Sequence, residues 1–336
     1  MFDIITAGSA TEDVFVNIDE TQIVGFEDKH HRDEYLALSY GAKINVDSIR
    51  LDTGGGAVNT AASFARMGLH TAALCKVGRD VTARRVRDSL HEYGVDTSLF
   101  VECEDHPTGL SVIITGFTGD RTILVHRGAA TQLCGPEIPW DEVAQAKWLY
   151  LGSMQGPSAP LFHDLVVFAG DHGVKVAINP GSTQLELGMA GLADVFQHTT
   201  ALFLNRDEAY TLTGVAPDRG PTDEHQMLRM LSGAGCRHVV ITVGAEGSWG
   251  YDGRSFYTIP AYPATVVSTV GAGDAYAAAC VVGLHQGLAL NEAMRLGAAN
   301  AAAVVSTFGA KEGILTWEQA QEFVRSHLGT PAEQPD

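Results

Sequence analysis

The chain has 336 residues, 45% of them hydrophobic, which is enough to build a large α/β domain around a sizeable core. Its formal net charge of −18 argues against nucleic acid and anionic membrane surfaces as partners, because both attract basic proteins. Five scattered cysteines without a Cys-x-x-Cys pair indicate reduced thiols and a cytoplasmic protein. The apolar N-terminus lacks a basic flank, and no apolar run approaches about 18 residues, so we expect neither a signal peptide nor a membrane span.

Apolar segments alternate with helical patterns along most of the chain. In chain order we predict a strand at 2–7, helices at 59–67, 80–93 and 160–172, strands at 174–178 and 201–204, a helix at 206–213, a strand at 238–243, and helices at 274–286, 291–307 and 317–327. A glycine follows several of these helices, as expected at a helix end. The alternation predicts a mostly parallel sheet with helices on both faces.

Two segments interrupt this alternation. Residues 14–52 are charged and contain weak alternating patterns such as 42–46, and residues 110–115 and 122–126 flank a hairpin turn signal, Gly119-Asp120. We expect both segments to form antiparallel strands of a small β-flap. The chain would then be one domain over 1–328, with flap segments at about 14–52 and 109–127 and a flexible tail at 329–336.

A glycine-rich turn, STVGAGD at 268–274, precedes a long helix of small residues. Small residues at a helix start leave backbone N–H groups bare, and the helix dipole adds positive charge, so the turn can bind an anion. Asp274 at its mouth would repel an anionic ligand, which suggests a base that deprotonates a nucleophile attacking a phosphate. The alternative is an ordinary helix start at which Asp274 only complements the dipole.

A second glycine-rich turn, DTGGGAVNT at 52–60, also leads into a helix. It lacks the Lys-Ser/Thr of a P-loop and the G-x-G-x-x-G pattern of dinucleotide folds. Asn59 offers a donor and an acceptor, which suits a ligand with hydroxyl groups. Asp13 follows the first predicted strand, where open α/β sheets bind ligands. A tight turn with helix caps explains these residues equally well when each is taken alone.

Two further strand ends carry polar residues. Asn205 and Glu208 are three residues apart and could hold waters around a Mg²⁺ ion bound to phosphates, although a capping box fits the same spacing. The segment ITVGAEG at 241–247 could touch phosphate or ribose, and a hairpin into 248–251 is the simpler account. Four glycine-bearing strand ends in one α/β chain are harder to explain by chance than any one of them.

With these motifs in this order, the chain resembles the ribokinase-like sugar kinases, the PfkB carbohydrate kinase family, from residue 3 to about residue 318. Residues 54–68 resemble the first signature of that family and 268–283 the second. The resemblance implies a single ribokinase-like kinase domain of three α/β/α layers, with a mostly parallel central sheet and a small β-sheet lid over the sugar. It implies ATP-dependent phosphorylation of a hydroxyl, expected to be a primary alcohol, on a sugar or sugar-like molecule.

The resemblance also implies individual roles. Asp274 would be the general base, and the N–H groups of Gly271, Ala272 and Gly273 would stabilise the transferring phosphoryl group. The substrate-binding residues that it implies are Asp13, Gly55, Gly56 and Asn59. The nucleotide-binding residues that it implies are Asn205, Thr242, Gly244, Gly247, Asn300 and Gly309. Glu208 would organise Mg²⁺ through water.

Some features depart from the family pattern or leave alternatives open. Many members have Asp-Thr where this chain has Ser268-Thr269, and in ribokinase that aspartate helps to coordinate a monovalent cation. The departure weighs against K⁺, which we keep as a candidate cofactor. Arg127 either contacts a substrate phosphate, as in a phosphosugar kinase, or forms a surface ion pair.

Other functions are also compatible with the sequence. A nucleoside kinase of the same fold would place a stacking aromatic, Phe15 or Phe117, at the sugar site. A silent sugar-binding module is disfavoured by Asp274, and an NAD-dependent dehydrogenase by the missing dinucleotide fingerprint. Exposed strand edges of the lid could pair across a homodimer.

Overall fold

The structure is a computed structural model, and it describes residues 1–18, 22–27, 32–115, 121–217 and 221–327. Its strands are β1 (Ile4–Ala7), β2 (Thr11–Asn17), β3 (Gln22–Glu27), β4 (Arg32–Ala37), β5 (Ser48–Gly54), β6 (Thr71–Leu74), β7 (Lys76–Gly78), β8 (Val101–Cys103), β9 (Gly109–Thr115), β10 (Arg121–His126), β11 (Trp148–Leu151), β12 (Lys175–Ile178), β13 (Ala201–Asn205), β14 (His238–Thr242), β15 (Ser248–Tyr251) and β16 (Phe256–Ile259).

Its helices are α1 (Gly56–Arg66), α2 (Val81–Glu92), α3 (Trp140–Gln145), α4 (Pro160–Asp171), α5 (Ser182–Leu185), α6 (Gly188–Gly191), α7 (Ala193–Gln197), α8 (Arg206–Thr213), α9 (Pro221–Gly233), α10 (Ala272–His285), α11 (Leu290–Val305) and α12 (Trp317–Ser326). Within the described ranges, none of them combines the length and the apolar character needed to cross a bilayer.

Eight strands form the main sheet, in the spatial order β16-β15-β14-β13-β12-β11-β1-β6. Neighbouring strands from β14 to β6 are parallel, whereas β15 pairs antiparallel with both β14 and β16. The predicted mostly parallel sheet is therefore confirmed. The hairpin from β14 into β15 matches the simpler account of residues 241–251.

Helices cover both faces of this sheet, so its strands bury side chains in both directions. Ile5 of β1 and Leu149 of β11 belong to one core cluster, which includes residues of α4, α8 and α9. Their sequence neighbours Ile4 and Tyr150 belong to a second cluster, which includes α10 and α11. This two-sided burial explains why the strands are unbroken apolar runs in the sequence.

A second sheet of four strands, in the order β10-β9-β2-β5, forms the predicted lid, and we call it the lid sheet. Strand β2 pairs antiparallel with β5 and parallel with β9, and β9 pairs antiparallel with β10. The predicted hairpin is confirmed as the β9–β10 pair. Its predicted turn, Gly119-Asp120, lies outside the described residues.

Some predicted boundaries were wrong. The alternating pattern at 42–46 is not a strand, because its side chains are mostly exposed and strand pairing starts only at Ser48, opposite Asn17. Helix α1 begins at Gly56 and α10 at Ala272, because the glycine-rich turns themselves supply the first helical residues. The predicted tail at 329–336 lies outside the described residues.

Candidate active site

A cavity of about 310 Å³ lies between the lid sheet, the carboxyl ends of main-sheet strands and the N-termini of α1 and α10. Strand β1 leads into it at Ser9, and β11 leads into it at Ser153. The predicted catalytic and substrate-binding residues that line it are Asp13, Gly55, Asn59, Gly271 and Asp274. These residues are far apart in the sequence, and the crossovers of the parallel sheet bring them to one sheet edge.

A hydrogen bond joins the two glycine-rich turns inside the cavity. Asn59 Nδ2 donates to Asp274 Oδ2 at 2.8 Å, across 215 residues of sequence. Asn59 is buried, and its Oδ1 atom has no hydrogen-bond partner among the described residues. A buried acceptor beside the carboxylate can receive a hydrogen bond from a hydroxyl-bearing ligand.

The half-buried carboxyl of Asp274 has an altered proton affinity. Removal from water raises the pKa of Asp274 to about 6, the hydrogen bond from Asn59 opposes this rise, and the negative charge of Glu208 adds to it. A carboxylate with such a pKa accepts a proton more readily than an ordinary aspartate and is still mostly ionised at neutral pH. These are the properties of a general base.

Bare amides surround the start of α10. Gly271 is the N-cap of α10, with a φ of 76°, and the N–H groups of Gly271 and Gly273 have no acceptor among the described residues. Ala272 N donates only a long bond of 3.4 Å, to Thr269 O. A methyl group added at Gly271 would lie 2.5 Å from Ala310 Cβ, so a larger residue cannot take this place without a shift. The turn can therefore bind an anion.

Asp13 extends from the lid sheet into the same cavity. It is buried, and Thr11 Oγ1 donates to its Oδ1 at 3.1 Å. Burial raises the pKa of Asp13, while hydrogen bonds from Ser111 and Thr11 and the charge of Lys311 oppose the rise. Asp13 and Ser111 are directly opposite each other in the β2–β9 pairing. The pair offers an acceptor and a hydroxyl to a polar ligand.

The first glycine-rich turn packs tightly against the end of β1. Gly56 N donates to Ser9 Oγ at 3.2 Å. Gly55 has a φ of 97°, and a methyl group there would lie 2.4 Å from Ser9 O. The glycines therefore allow the backbone of α1 to approach β1 and leave Asn59 one turn into the helix.

Asn205 and Glu208 form a capping box at the start of α8. Glu208 N donates to Asn205 Oδ1 and Asn205 N donates to Glu208 Oε2, each at 2.8 Å. Burial raises the pKa of Glu208, the bond from Asn205 opposes this, and Asp207 adds to it. The capping box that this spacing also fits is therefore present in the structure.

The capping box engages Oε2 of Glu208, so the carboxylate can still interact with other groups. No basic side chain in the described ranges pairs with it, and its charge reaches Asp274. Uncompensated negative charge fits a Mg²⁺ ion held through water. No three acidic, histidine or cysteine side chains among the described residues are grouped to ligate a metal directly.

The other predicted nucleotide-binding residues lie outside the 310 Å³ cavity. Thr242 ends β14, beside Asn205 of β13 in the strand register. Gly244 begins a 3₁₀ turn and is exposed, with open space around it. Gly247 packs against the end of β16, where a methyl group would lie 2.2 Å from Ile259 O. These residues share the sheet edge with Asn205, next to the cavity.

Asn300 has a role different from the predicted one. It is fully buried, its Nδ2 donates to Ala275 O, and its Oδ1 accepts from Leu315 N, both at 2.9 Å. Both ends of its amide are bonded within the protein and the side chain is fully buried, so it braces α10 and α11 and does not face a ligand. A lone Asn inside an apolar helix gave no sequence signal to separate these two roles.

Gly309 belongs to a loop between the anion-binding turn and the lid sheet. A methyl group at Gly309 would lie 2.5 Å from Asp52 Oδ2, and the neighbouring Ala310 packs on Gly271. Lys311 is buried, and its Nζ donates to Asp52 Oδ1 at 2.9 Å and to Thr53 O. We did not predict this ion pair, because its partners are 259 residues apart.

Several cavity-lining residues carried no signal of their own in the sequence. Ser111, Ser153 and Gln155 are such residues. Ser and Gln are common in loops and at the ends of strands, so only the fold gives them a place in the cavity. Arg127 also lines the cavity. From the sequence alone, a surface ion pair is the favoured account of Arg127.

Known proteins resemble this chain over most of its length. A family model described as pfkB family carbohydrate kinase matches residues 14–317. An uncharacterized sugar kinase of Archaeoglobus fulgidus is 28% identical over 254 residues, covering 75% of this chain and 97% of the relative. A 5-dehydro-2-deoxygluconokinase of Bacillus subtilis is 26% identical over 284 residues, covering 81% of this chain and 86% of the relative.

Solved structures show the same fold. Arabidopsis thaliana ribokinase, complexed with ribose and ATP, superposes with a TM-score of 0.82 at 21% identity, covering 96% of this chain and 99% of that one. The nucleoside kinase of Burkholderia thailandensis, in complex with inosine, superposes with a TM-score of 0.77 at 18% identity, covering 99% of this chain and all of that one. At these identities the likeness concerns the fold alone.

Proposed function

The chain belongs to the pfkB family of carbohydrate kinases, and we propose that it phosphorylates a primary alcohol of a sugar or sugar-like substrate with ATP, using Asp274 as the general base. The observation that carries this proposal is the carboxylate of Asp274 in the cavity, close in sequence to the N–H groups of Gly271 and Gly273, which have no acceptor among the described residues. A carboxylate beside these amides would repel a bound phosphate. Its position is explained if it takes the proton from the hydroxyl that attacks that phosphate.

The proposed step is an in-line transfer. The substrate hydroxyl loses its proton to Asp274, its oxygen forms a bond to the γ-phosphorus of ATP, and the bond from that phosphorus to the β,γ-bridging oxygen breaks. ADP leaves with the electron pair of the broken bond. The N–H groups of Gly271, Ala272 and Gly273 receive the negative charge of the transferring group.

In this proposal the cavity orients the acceptor. Asp13 and Asn59 accept hydrogen bonds from substrate hydroxyls, while Gly55 and Gly56 let the backbone approach the ligand. The support is that Asp13, Gly55 and Asn59 line one cavity with Asp274. The lid sheet would exclude water from the reaction.

We place the nucleotide along the neighbouring strand ends. Asn205, Thr242, Gly244 and Gly247 share that edge of the sheet, and Gly309 lies behind the anion-binding turn. When bound, Mg²⁺ would neutralise phosphate charge beside Glu208. K⁺ stays a weaker proposal, because Ser268 supplies no carboxylate.

A nucleoside kinase is the second candidate, and the inosine complex of a structural neighbour keeps it open. The described lining of the cavity contains no aromatic side chain. Phe15 packs edge-on against Phe308 instead, with ring centres 4.7 Å apart, and Phe117 lies outside the described residues. This arrangement favours a sugar over a nucleoside.

We also propose a homodimer formed through the lid sheet. Leu51, Val14, Val112 and Leu124 are aligned across its four strands, on the side opposite Asp13. Leu51 and Leu124 are 54% and 56% exposed, and a second copy of the lid would cover them. The five cysteines are all free, which fits a cytoplasmic location.

Substrate-dependent release of ADP tests the function. Purified protein with ATP and Mg²⁺ is offered sugars, sugar acids, phosphosugars and nucleosides, with acceptor-free ATP hydrolysis as the baseline. We expect at least one sugar-type acceptor to raise ADP release well above that baseline and to appear as a phosphomonoester. A panel in which only nucleosides respond would replace the proposal with the second candidate.

A further inference from the structure

Arg127 faces the cavity from the lid sheet. Ile123 and Val125 alternate along β10 and share one side of the lid sheet, Arg127 is the N-cap of the 3₁₀ turn that follows β10, and all three line the cavity. The backbone of Arg127 lies close to Gly109, because a methyl group at Gly109 would lie 3.0 Å from Arg127 O. The position of Arg127 at the cavity therefore rests on the cavity lining and on the packing of its backbone against Gly109.

The guanidinium of Arg127 has no partner within the part of the chain that the structure describes. By contrast, Arg85 and Arg206 pair with Glu12 and Glu224, which are themselves buried. With 40 acidic and 22 basic residues in the chain, a carboxylate for Arg127 would be easy to provide. Arg127 is exposed and lines the cavity, so its guanidinium can reach a ligand bound there.

The charges of the residues that line the cavity also bear on what Arg127 binds. Among the described lining residues, Asp13 and Asp274 are acidic and Arg127 is the only basic one. Arg127 pairs with neither of these acids. Two carboxylates and a net charge of −18 would repel an anionic acceptor, and a neutral sugar would need no cation at all. A planar guanidinium matches carboxylate and phosphate oxygens through paired hydrogen bonds.

We propose that Arg127 binds an anionic group of the acceptor, so that the substrate is a sugar that already carries a carboxylate or a phosphate. This inference rests on the proposed kinase function and narrows its substrate class. The anionic group lies at Arg127, while the hydroxyl to be phosphorylated lies at Asp274. Ile123 and Val125, each 46% exposed, would contact the carbon chain between the two ends.

The test compares matched acceptors on wild type and on Arg127→Gln. Aldoses and ketoses are paired with their aldonates and monophosphates, and kcat/KM is measured from ADP release. We expect wild type to prefer the anionic members, and Arg127→Gln to lose about 10- to 100-fold on them while keeping its rate on the neutral ones. Arg127→Lys, which keeps the charge but not the fork, should fall in between. Arg325→Gln on α12, an exposed arginine paired with Glu322, is the matched control.

Each outcome has a distinct meaning. A preference for aldonates identifies a sugar acid, and a preference for monophosphates identifies a phosphosugar. Neutral sugars preferred by wild type, with Arg127→Gln unchanged on every acceptor, would overturn this inference and leave the kinase function intact. No ADP release with any member would contradict the proposed function, and this inference would fall with it. Calorimetric binding of the preferred acceptor without ATP should show the same loss in Arg127→Gln.

Discussion

Asn59 and Asp274 hold the two glycine-rich turns together, with Asn59 Nδ2 and Asp274 Oδ2 2.8 Å apart. The first residue stands one turn into α1 and the second in the first turn of α10. A neutral donor orients the carboxylate without adding a charge that would neutralise it. The free Oδ1 of Asn59 then lies where a substrate hydroxyl can donate to it.

Asn59→Ala should change the pH dependence of the reaction. The hydrogen bond from Asn59 lowers the pKa of Asp274, so its loss raises that pKa above the wild-type value of about 6. A general base acts when deprotonated, so activity is lost as pH falls through this pKa. We expect the acid limb of kcat/KM to lie near pH 6 in wild type and at higher pH in the variant, with kcat/KM about 10- to 100-fold lower at pH 7.5.

Ser63→Ala is the control for this profile. Ser63 lies one turn further along α1, is buried, and has a hydroxyl without a partner in the described residues. Its removal should leave the acid limb unchanged. Superimposable profiles for wild type and Asn59→Ala would mean that this hydrogen bond does not tune the base.

Lys311→Met should destabilise the protein, because it leaves the carboxylate of Asp52 and the carbonyl of Thr53 without their ammonium partner. We expect a loss of about 2 kcal/mol, less than for a fully buried pair because Asp52 is partly exposed. Urea unfolding gives the free energy, and Asp52→Asn combined with Lys311→Met should recover part of it. Lys147→Met, which breaks an exposed ion pair with Asp3, should cost about 1 kcal/mol or less. Equal losses for the two lysines would mean that the ion pair of Lys311 with Asp52 adds no more stability than an exposed surface pair.

Gly271→Ala should damage both stability and turnover. The left-handed φ of 76° and the contact with Ala310 each oppose a methyl group, and we expect a loss of about 2–3 kcal/mol. The displaced amide should lower kcat at least ~10-fold. Gly233→Ala, at the end of α9 where nothing lies within 4 Å of an added methyl group, should leave kcat unchanged and the melting temperature equal or slightly higher, because alanine is the better helix former. A Gly271→Ala variant as active as wild type would argue against the anion-binding turn.

The lid dimer is testable by sedimentation. At micromolar concentration we expect about twice the monomer mass of 35.7 kDa. Leu51→Lys combined with Leu124→Lys should give a monomer, because two buried charges would meet across the interface. Leu187→Lys, at another leucine that is 58% exposed, should leave the mass unchanged. A monomeric wild type would exclude the dimer.

The sequence predicts the main sheet well, because unbroken apolar runs such as 201–204, alternating with helical patterns, are expected of strands buried on both faces. It also predicts the two glycine-rich turns, since glycines just before a helix allow a tight turn and a close approach of the backbone. The limits of the lid strands were harder to predict. Residues 42–46 alternate between polar and apolar side chains but are not a strand, because an alternating segment forms a strand only where a neighbouring strand pairs with it.

The sequence could not predict contacts that depend on the three-dimensional arrangement. The bond from Asn59 to Asp274 and the ion pair of Lys311 with Asp52 join residues more than 200 positions apart. Asn300 is the opposite case. It was predicted to bind the nucleotide, and the structure shows its side chain hydrogen-bonded to Ala275 and Leu315 instead. Whether a polar side chain binds a ligand or the protein depends on its neighbours in three dimensions, and a local sequence pattern does not specify them.

The most direct test of the central claim is the turnover of Asp274→Asn at saturating ATP with the preferred acceptor. The amide keeps the shape of the side chain but cannot accept the proton, so we expect kcat to fall at least ~10²-fold while the acceptor still binds. A kcat within a few-fold of wild type, in a variant that folds and binds normally, would contradict the assignment of Asp274 as the base.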